Sequence, residues 1–316
     1  MITSAKFEII HNAVCRDKNV LSIAKMCELA KVSRSGYYGW LDAKPYRQSQ
    51  EEADKADFEK ILEAYRHRGY AKGARSIYMR LLHLDIVMNL KKIRRLMHKY
   101  GLKCPYRGPN PYRQMAKALK TNTVFPNKVD RKFLAGGVRK VLLTDITYIF
   151  YDKGVCYLST VLDAFTREIL AYELSENLEV AFVLKTLAEL VEKHGSTLDD
   201  TTIVHSDQGC HYTSKAFIKA LEDNHFVQSM SRKGNCWDNA PQESFFGHMK
   251  DEIKYEIAMM KSYGEVKAKI DDWIDYYNSD RYQWDLAKLS PNEYYRYVTT
   301  GIYPLTSWGS APNPEV

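Results

Sequence analysis

Three carboxylates and one lysine in the second half of the chain have types and positions suited to metal-dependent chemistry. Asp145 lies inside an apolar, β-branched stretch, VLLTDITYIF, and Asp207 directly follows a short apolar segment. Glu243 begins a helical stretch in which Lys250, seven residues later, falls on nearly the same face. A carboxylate in an apolar strand is costly unless it is paired or binds a metal. Ligand sites of such sheets lie just beyond strand ends, which is where Asp207 stands.

The chemistry that such a set could support is phosphodiester transfer. Two divalent ions about 3.5–4 Å apart activate a water or hydroxyl and stabilise the leaving oxygen. Magnesium prefers oxygen ligands and retains waters beside one or two carboxylates, so one bridging Asp and one further carboxylate for each ion would suffice. Position alone leaves other readings open. Asp145 could pair with a buried lysine, Asp207 could cap the next helix, and Glu243 could be surface charge.

The elements that must position these residues follow the order β-β-β-α-β-α-β-α. Three stretches rich in β-branched and aromatic residues predict neighbouring strands, and helices then alternate with two short strands. This order predicts a mixed five-stranded sheet with helices on its faces. The last helix of this series is predicted to begin at Asp238. Its stripe of Phe245, Met249 and Ile253 is predicted to pack on the sheet and to leave Glu243 and Lys250 on another face.

The first half of the chain differs sharply in charge. Residues 1–140 carry 30 Lys and Arg against 12 Asp and Glu, whereas the remainder is net acidic, and the whole chain has a net charge of +7. Such a split is typical of a nucleic-acid-binding part joined to a part of another kind. Residues 21–41 predict two short helices around a turn, with Ser33 capping the second helix and Arg34 near its start. This helix-turn-helix pattern could equally be an ordinary helical hairpin.

A second basic helical region precedes a basic, proline-containing linker. The stretch LKKIRRLMHKYGLK after Asn89 has a buried stripe surrounded by basic side chains and no acid. An all-basic face predicts phosphate contacts, although a solvated helix face is the alternative reading. The candidate DNA-contact residues here are Lys91, Lys92, Arg94 and Arg95. Between residues 103 and 140, ten Lys and Arg stand against one acid, which predicts a loop that follows a DNA backbone or a partner surface.

Composition limits the class of protein. The 316 residues suggest about two domains, and 45% apolar with 27% charged residues is ordinary for a globular protein. We find neither a signal peptide nor an apolar run long enough to cross a membrane. The six cysteines form no CxxC pair, so we expect neither a disulfide framework nor a structural zinc site. We therefore expect a cytoplasmic protein that associates with nucleic acid.

Four stretches resemble a known family, the second-frame (OrfB-type) transposases of bacterial insertion sequences of family three, which have a retroviral-integrase-like DDE core. The stretches are TDITYI (144–149), HSDQGCHYTS (205–214), SMSRKGNCWDNAPQESFFGHMKDE (229–252) and DYYNSDRYQWDLAKLSPNEY (275–294). The 35 residues between Asp207 and Glu243 match the spacing of this class. Residues 73–107 also resemble the helical DNA-binding segment that precedes this core. The resemblance covers about residues 20–297.

The resemblance implies a ribonuclease-H-like fold and a set of roles. Asp145, Asp207 and Glu243 would be the catalytic, metal-binding triad, with two Mg²⁺ ions and Mn²⁺ as a substitute. Lys250 would contact DNA near the cleavage site, and Asn239 would line the site. Water would first free a 3′-hydroxyl at the transposon end, and that hydroxyl would then attack a second phosphodiester. Its partners would be transposon-end DNA, target DNA, further copies of the chain and a first-frame protein or fusion.

We divide the chain on this basis. The predicted parts are a helix-turn-helix (1–45), a second helical DNA-binding domain (46–104), a basic linker (105–138), the catalytic core (139–260), a C-terminal helical extension (261–300) and a tail (301–316). Two other functions stay open at this point. One is a DNA-binding regulator or assembly partner that is inactive without the first-frame segment. The other is a ribonuclease-H-type nuclease.

Overall fold

A five-stranded mixed sheet forms the centre of the second half of the chain. The computed structural model describes residues 3–16, 19–104, 125–152, 154–232 and 236–305. Three antiparallel strands follow one another, and two shorter strands run parallel to the first, giving the order β3-β2-β1-β4-β5. The strands are β1 (Val141–Tyr151), β2 (Gly154–Asp163), β3 (Ile169–Ser175), β4 (Ile203–Ser206) and β5 (Val227–Met230).

Helices cover both faces of this sheet. On one face lie α7 (Val180–His194) and α8 (Lys215–Asp223); on the other lie α9 (Ala240–Ala258) and α10 (Tyr263–Ser279). The helix α11 (Pro291–Thr300) follows with a Ser290–Glu293 capping box. The predicted stripe of Phe245, Met249 and Ile253 is buried against the sheet. The predicted ribonuclease-H-like fold class is confirmed.

The first hundred residues are helical, as predicted. They contain α1 (Thr3–Val14), α2 (Ile23–Ala30), α3 (Arg34–Asp42), α4 (Lys44–Arg66), α5 (Ala74–His83) and α6 (Leu90–Lys99). The helices α1 to α3 enclose one small core, and α4 to α6 enclose another. The predicted boundary between residues 45 and 46 falls inside the first turn of α4, because Pro45 fits the first turn of a helix.

The segment between α4 and α5 connects the second helical unit to the sheet-containing half. Tyr70 is 2% exposed and belongs to the same hydrophobic cluster as α9 and α10. Its ring stacks on Tyr276 at 4.4 Å between centroids, and its hydroxyl donates to Asp272. Most of the predicted linker (105–124) and of the tail (306–316) lies outside the described residues. Within the described ranges, no helix is both long and apolar enough to cross a membrane.

Candidate active site

Asp145 sits in the middle of β1, on the face of the sheet that α9 covers. Alternation along a strand puts Asp145 on the side of Leu143, and Leu143 belongs to the cluster packed against α9. Its neighbour across the antiparallel pair is Thr160 of β2. The carboxylate is partly exposed, because the apolar cover of this face is interrupted at Asp145. One of its oxygens accepts a hydrogen bond from the backbone N–H of Ile146 at 2.8 Å.

The register of the parallel pair brings Asp207 beside Asp145. Leu143 of β1 faces His205 of β4, so the residues two places further along, Asp145 and Asp207, stand next to each other at the strand end. The chain turns sharply after Asp207, and the backbone N–H of Gly209 donates to Asp207 Oδ1 at 2.8 Å. A Cβ atom on Gly209 would lie 2.8 Å from the same oxygen, so the carboxylate is held by a close approach that only glycine permits.

The start of α9 completes the site. A short 3-10 helix, Cys236–Asn239, leads into the helix, which begins at Ala240 rather than at the predicted Asp238. Asn239 occupies the N-cap position but makes no side-chain cap. Its amide donates instead to Asp145 Oδ2 at 3.3 Å. An N-cap asparagine normally bonds to the helix backbone, but this side chain bonds to the Asp145 carboxylate and leaves the cap unmade.

Charge interactions join Asp207, Glu243 and Lys250 to Asp145. Burial raises the pKa of the Asp145 carboxyl, repulsion from Asp207 and Glu243 raises that pKa further, and Lys250 lowers it. Burial also raises the pKa of Asp207. The residue nevertheless keeps an exposed surface. The structure thus gathers like charges at one spot, which is unfavourable unless a cation lies between them.

The donor set fits hard divalent ions. Carboxylate and amide oxygens are the ligands that magnesium and manganese accept. Asn239 Oδ1 is buried without a hydrogen-bond partner among the described residues, so it can accept from a metal-bound water. Within those residues no three His, Cys, Asp or Glu side chains are grouped tightly enough to enclose one ion. A two-ion arrangement requires only a pair of carboxylates for each ion.

The tyrosine, serine and histidine side chains around the acids make hydrogen bonds to other parts of the protein. Tyr212 is 1% exposed, its hydroxyl lies 3.4 Å from Thr144 Oγ1, and burial raises its pKa. Ser206 donates to the backbone carbonyl of Asp207. His205 lies close in sequence to Cys210 and His211, which are also of metal-binding types. In the structure it is buried between the hydroxyls of Ser229 and Ser231. The hydroxyls of Tyr212 and Ser206 are therefore engaged in other contacts, and neither is free to act as a nucleophile.

The predicted DNA-contact residues of the basic half lie outside this site, on the helical units. Arg34 is exposed at the start of α3, 5.7 Å from the ring centroid of Tyr38. On α6, Lys92 pairs with Asp57, and Arg95 makes a bidentate pair with Asp54 at 2.6 and 2.7 Å. The adjacent acids of α4 were not considered in the sequence analysis, because they lie some 40 residues away in the chain.

Lys91 and Arg94 differ from these paired residues. Both are exposed, and neither forms an ion pair within the described residues. Spaced three apart, they share one face of α6. That face is the part of α6 with free positive charge.

Sequence reasoning missed the group that fixes the turn before α9. The Asp238 carboxylate is buried and accepts from Arg232 Nε at 2.8 Å, Arg131 Nε at 3.0 Å and Asn127 Nδ2 at 3.0 Å. These interactions hold the pKa of Asp238 well below its usual range. The basic residues around 130 belong to the stretch that the sequence predicts to follow a DNA backbone or a partner surface, and no feature of the sequence indicates an internal acid as their partner.

Comparison with known proteins identifies related sequences. Two family models, both described as an integrase core domain, match residues 137–236 and 225–291, and an HTH-like domain matches residues 51–110. The chain is 32% identical over 274 residues to the putative transposase InsK for insertion sequence element IS150 of Escherichia coli K12, covering 85% of this chain and 92% of that protein. It is 32% identical over 241 residues to the transposase for insertion sequence element IS904 of Lactococcus lactis, covering 76% and 93%.

A solved structure is similar to part of the chain. The catalytic core domain of HTLV-2 integrase, in complex with magnesium, aligns with 49% of this chain and 94% of its own length, at 12% identity and a TM-score of 0.39. This similarity is too low to carry an argument.

Proposed function

The chain belongs to the transposases of bacterial insertion sequences of family three, and we propose that it binds transposon-end DNA and catalyses metal-dependent 3′-end cleavage and strand transfer. An integrase core domain makes it an enzyme of the polynucleotidyl transferase class. The observation that supports the proposed site best is the parallel register that sets Asp207 beside Asp145, next to the first turn of α9.

Asp145, Asp207 and Glu243 would hold two Mg²⁺ ions, with Mn²⁺ as an alternative. Asp145 would be the ligand shared by the two ions, because its carboxyl is repelled both by Asp207, which follows β4, and by Glu243 in the first turn of α9. Bound ions would activate the attacking oxygen and stabilise the leaving oxygen. The orphaned Asn239 Oδ1 and the mutual repulsion of the carboxylates support a cation at this position.

The protein's own groups would orient the DNA and the ligands. The Asn239 amide fixes the direction of the Asp145 carboxylate. Lys250, whose charge acts on Asp145, would hold a nonbridging oxygen of the phosphate under attack. Because Ser206 and Tyr212 are engaged, we expect direct attack by water and then by the 3′-hydroxyl, without a covalent protein–DNA intermediate.

The helical units would bind the DNA that the core cuts. Arg34 on α3 and the pair Lys91 and Arg94 on α6 offer exposed positive charge at two separate helices. Phosphate contacts of this kind supply most of the sequence-independent affinity for DNA. Two transposon ends must be joined in one reaction, so we expect several copies of the chain to assemble on DNA.

A strand-transfer assay tests this proposal. Labelled DNA carrying the terminal repeats of the encoding element is incubated with Mg²⁺ and either the wild type or Glu243→Gln, which removes the charge but keeps the size. We expect joined product from the wild type and a loss of at least about 1,000-fold in the variant. Equal activity of both proteins contradicts the triad. End-specific binding without product favours an assembly partner that needs the first-frame segment, and cleavage of RNA–DNA hybrid without end preference favours a nuclease.

A further inference from the structure

Trp237 is an exposed residue in the short turn that precedes α9. It belongs to the 3-10 helix Cys236–Asn239, and its residue is 64% exposed. The two residues that follow it, Asp238 and Asn239, are only 1% and 5% exposed. Asn239 donates to the Asp145 carboxylate, so the indole is attached two residues from a direct contact to the proposed bridging ligand. Among the described residues, no aromatic ring packs against Trp237.

The backbone beneath this tryptophan is firmly held. The buried Asp238 carboxylate takes hydrogen bonds from Arg232, Arg131 and Asn127, and it also accepts from the backbone N–H of Arg232 at 3.0 Å. Two separate chain segments, 127–131 and 232, therefore hold the turn. The exposed indole offers a large, flat apolar surface to a ligand.

Two arginines contact the same turn. The side chains of Arg131 and Arg232 are 48% and 50% exposed although both are bonded to Asp238, and Arg232 also lies 3.5 Å from Asp130. The N–H groups that these internal acids leave exposed can donate to a phosphate. A flat aromatic ring next to phosphate-binding cations is the usual combination in sites that hold unpaired nucleotides.

We propose that Trp237 stacks on the nucleobase adjoining the phosphate under attack and so positions that strand for transfer. This inference rests on the proposed transposase function of the same site. Any base can serve as the partner, since every base offers a π-face, so the contact would position the strand without reading its sequence. The nucleotide must be unpaired or frayed at the reacting position for the indole to reach its face.

The test compares Trp237→Ala and Trp237→Phe with the wild type, on DNA that carries 2-aminopurine at the nucleotide adjoining the cleavage site. Stacking on an indole quenches 2-aminopurine emission. We expect quenching on binding of the wild type and of the Phe variant, and little quenching with the Ala variant. The Ala variant should also lose strand-transfer efficiency by about tenfold, in line with the removal of one base–aromatic stack. Tyr255→Ala is the matched control, since Tyr255 is 73% exposed further along α9.

DNA with an abasic site at the same nucleotide supplies the decisive comparison. If the indole acts through a base, wild type and Trp237→Ala should transfer this DNA at equal rates. Equal 2-aminopurine emission in wild type and Trp237→Ala, or a tenfold loss that persists on abasic DNA, overturns the inference. Because quenching is read from binding alone, a wild type that quenches but joins no DNA contradicts the proposed function and leaves the stacking contact supported.

Discussion

At the scale of single residues, the site depends on small groups that hold the acids in place. The Asp207 carboxylate is fixed by a backbone N–H that approaches it closely because residue 209 has no side chain. The Asp145 carboxylate is fixed by an amide from the turn before α9. Neither Gly209 nor Asn239 would bear reacting charge, but each sets the direction of a proposed metal ligand.

Gly209→Ala should lower strand transfer with little effect on folding. The added Cβ would lie 2.8 Å from Asp207 Oδ1, and the carboxylate can rotate away, so the damage falls on its geometry. A displacement of a fraction of an ångström at a catalytic group should cost on the order of tenfold in rate. Gly264→Ala is the control, because a Cβ there meets nothing within 4 Å. Steady-state assays and thermal melting measure the two effects, and unchanged rates would contradict the argument.

Asn239→Ala should raise the Mg²⁺ concentration required for half-maximal activity. Its amide orients the Asp145 carboxylate, and loss of such a supporting contact typically costs about 10- to 100-fold in metal affinity or activity. The measurement is a Mg²⁺ titration of strand transfer, with melting temperature recorded alongside. A variant that loses activity equally at every Mg²⁺ concentration would show that Asn239 acts on the DNA rather than on the metal ligand.

At the scale of elements, α6 carries two kinds of basic residue. Lys92 and Arg95 neutralise the acids of α4 and hold the two helices together, and Lys99 joins them through Asp54 at 2.8 Å. Lys91 and Arg94 face outward on the same helix. The helix therefore combines an internal, structural side with an external side suited to phosphate contact.

The double variant Lys91→Ala/Arg94→Ala should weaken DNA binding at every sequence. Two lost phosphate contacts should also reduce the slope of log K against log salt by about 2, since each contact accounts for about 0.9. Lys92→Ala/Arg95→Ala is the matched pair, and we expect it to lower the melting temperature while leaving the salt slope nearly unchanged. Binding titrations at several salt concentrations measure the slopes. Equal slope changes in both double variants would contradict the division of α6 into two sides.

At the scale of the whole molecule, the basic and acidic halves of the chain meet through direct contacts. Arg68, in the connection between α4 and α5, pairs with Asp275 of α10 at 2.7 Å and lies 3.4 Å from Asp272. His83 of α5 contacts Glu293 of α11 at 3.1 Å and stacks on Tyr282. The charge difference between the halves therefore serves an internal interface. The C-terminal helices link the second helical unit to the catalytic sheet.

Tyr70→Ala should destabilise the catalytic core, although Tyr70 precedes β1 by some 70 residues. The ring is buried in the core cluster against Tyr276, so its removal leaves a cavity that should cost about 3–5 kcal/mol of unfolding free energy. Tyr46→Ala, at an exposed tyrosine of α4, is the control and should stay within about 0.5 kcal/mol of the wild type. Urea unfolding followed by tryptophan fluorescence measures both. A Tyr70 variant as stable as the control would mean that the helical unit does not contribute to the core.

The sequence by itself determined the fold class and singled out the candidate acids. Strand and helix periodicities are local, so the order of elements could be read from them, and a carboxylate inside VLLTDITYIF is conspicuous in an apolar strand. The spacing of Asp207 and Glu243 came from the resemblance to a family, since no local rule assigns three distant acids to one site.

Only the tertiary structure decided the contacts between residues far apart in the chain. Three such contacts depend on which surfaces meet after folding. They are the pairing of Lys92 and Arg95 with α4, of Asp238 with Arg131, and of Tyr70 with the core cluster. A basic side chain looks alike in sequence whether it binds phosphate or an internal acid, because both partners are anions. The structure therefore shows which basic side chains are exposed without an internal ion pair among the described residues. It also shows that Trp237 is exposed.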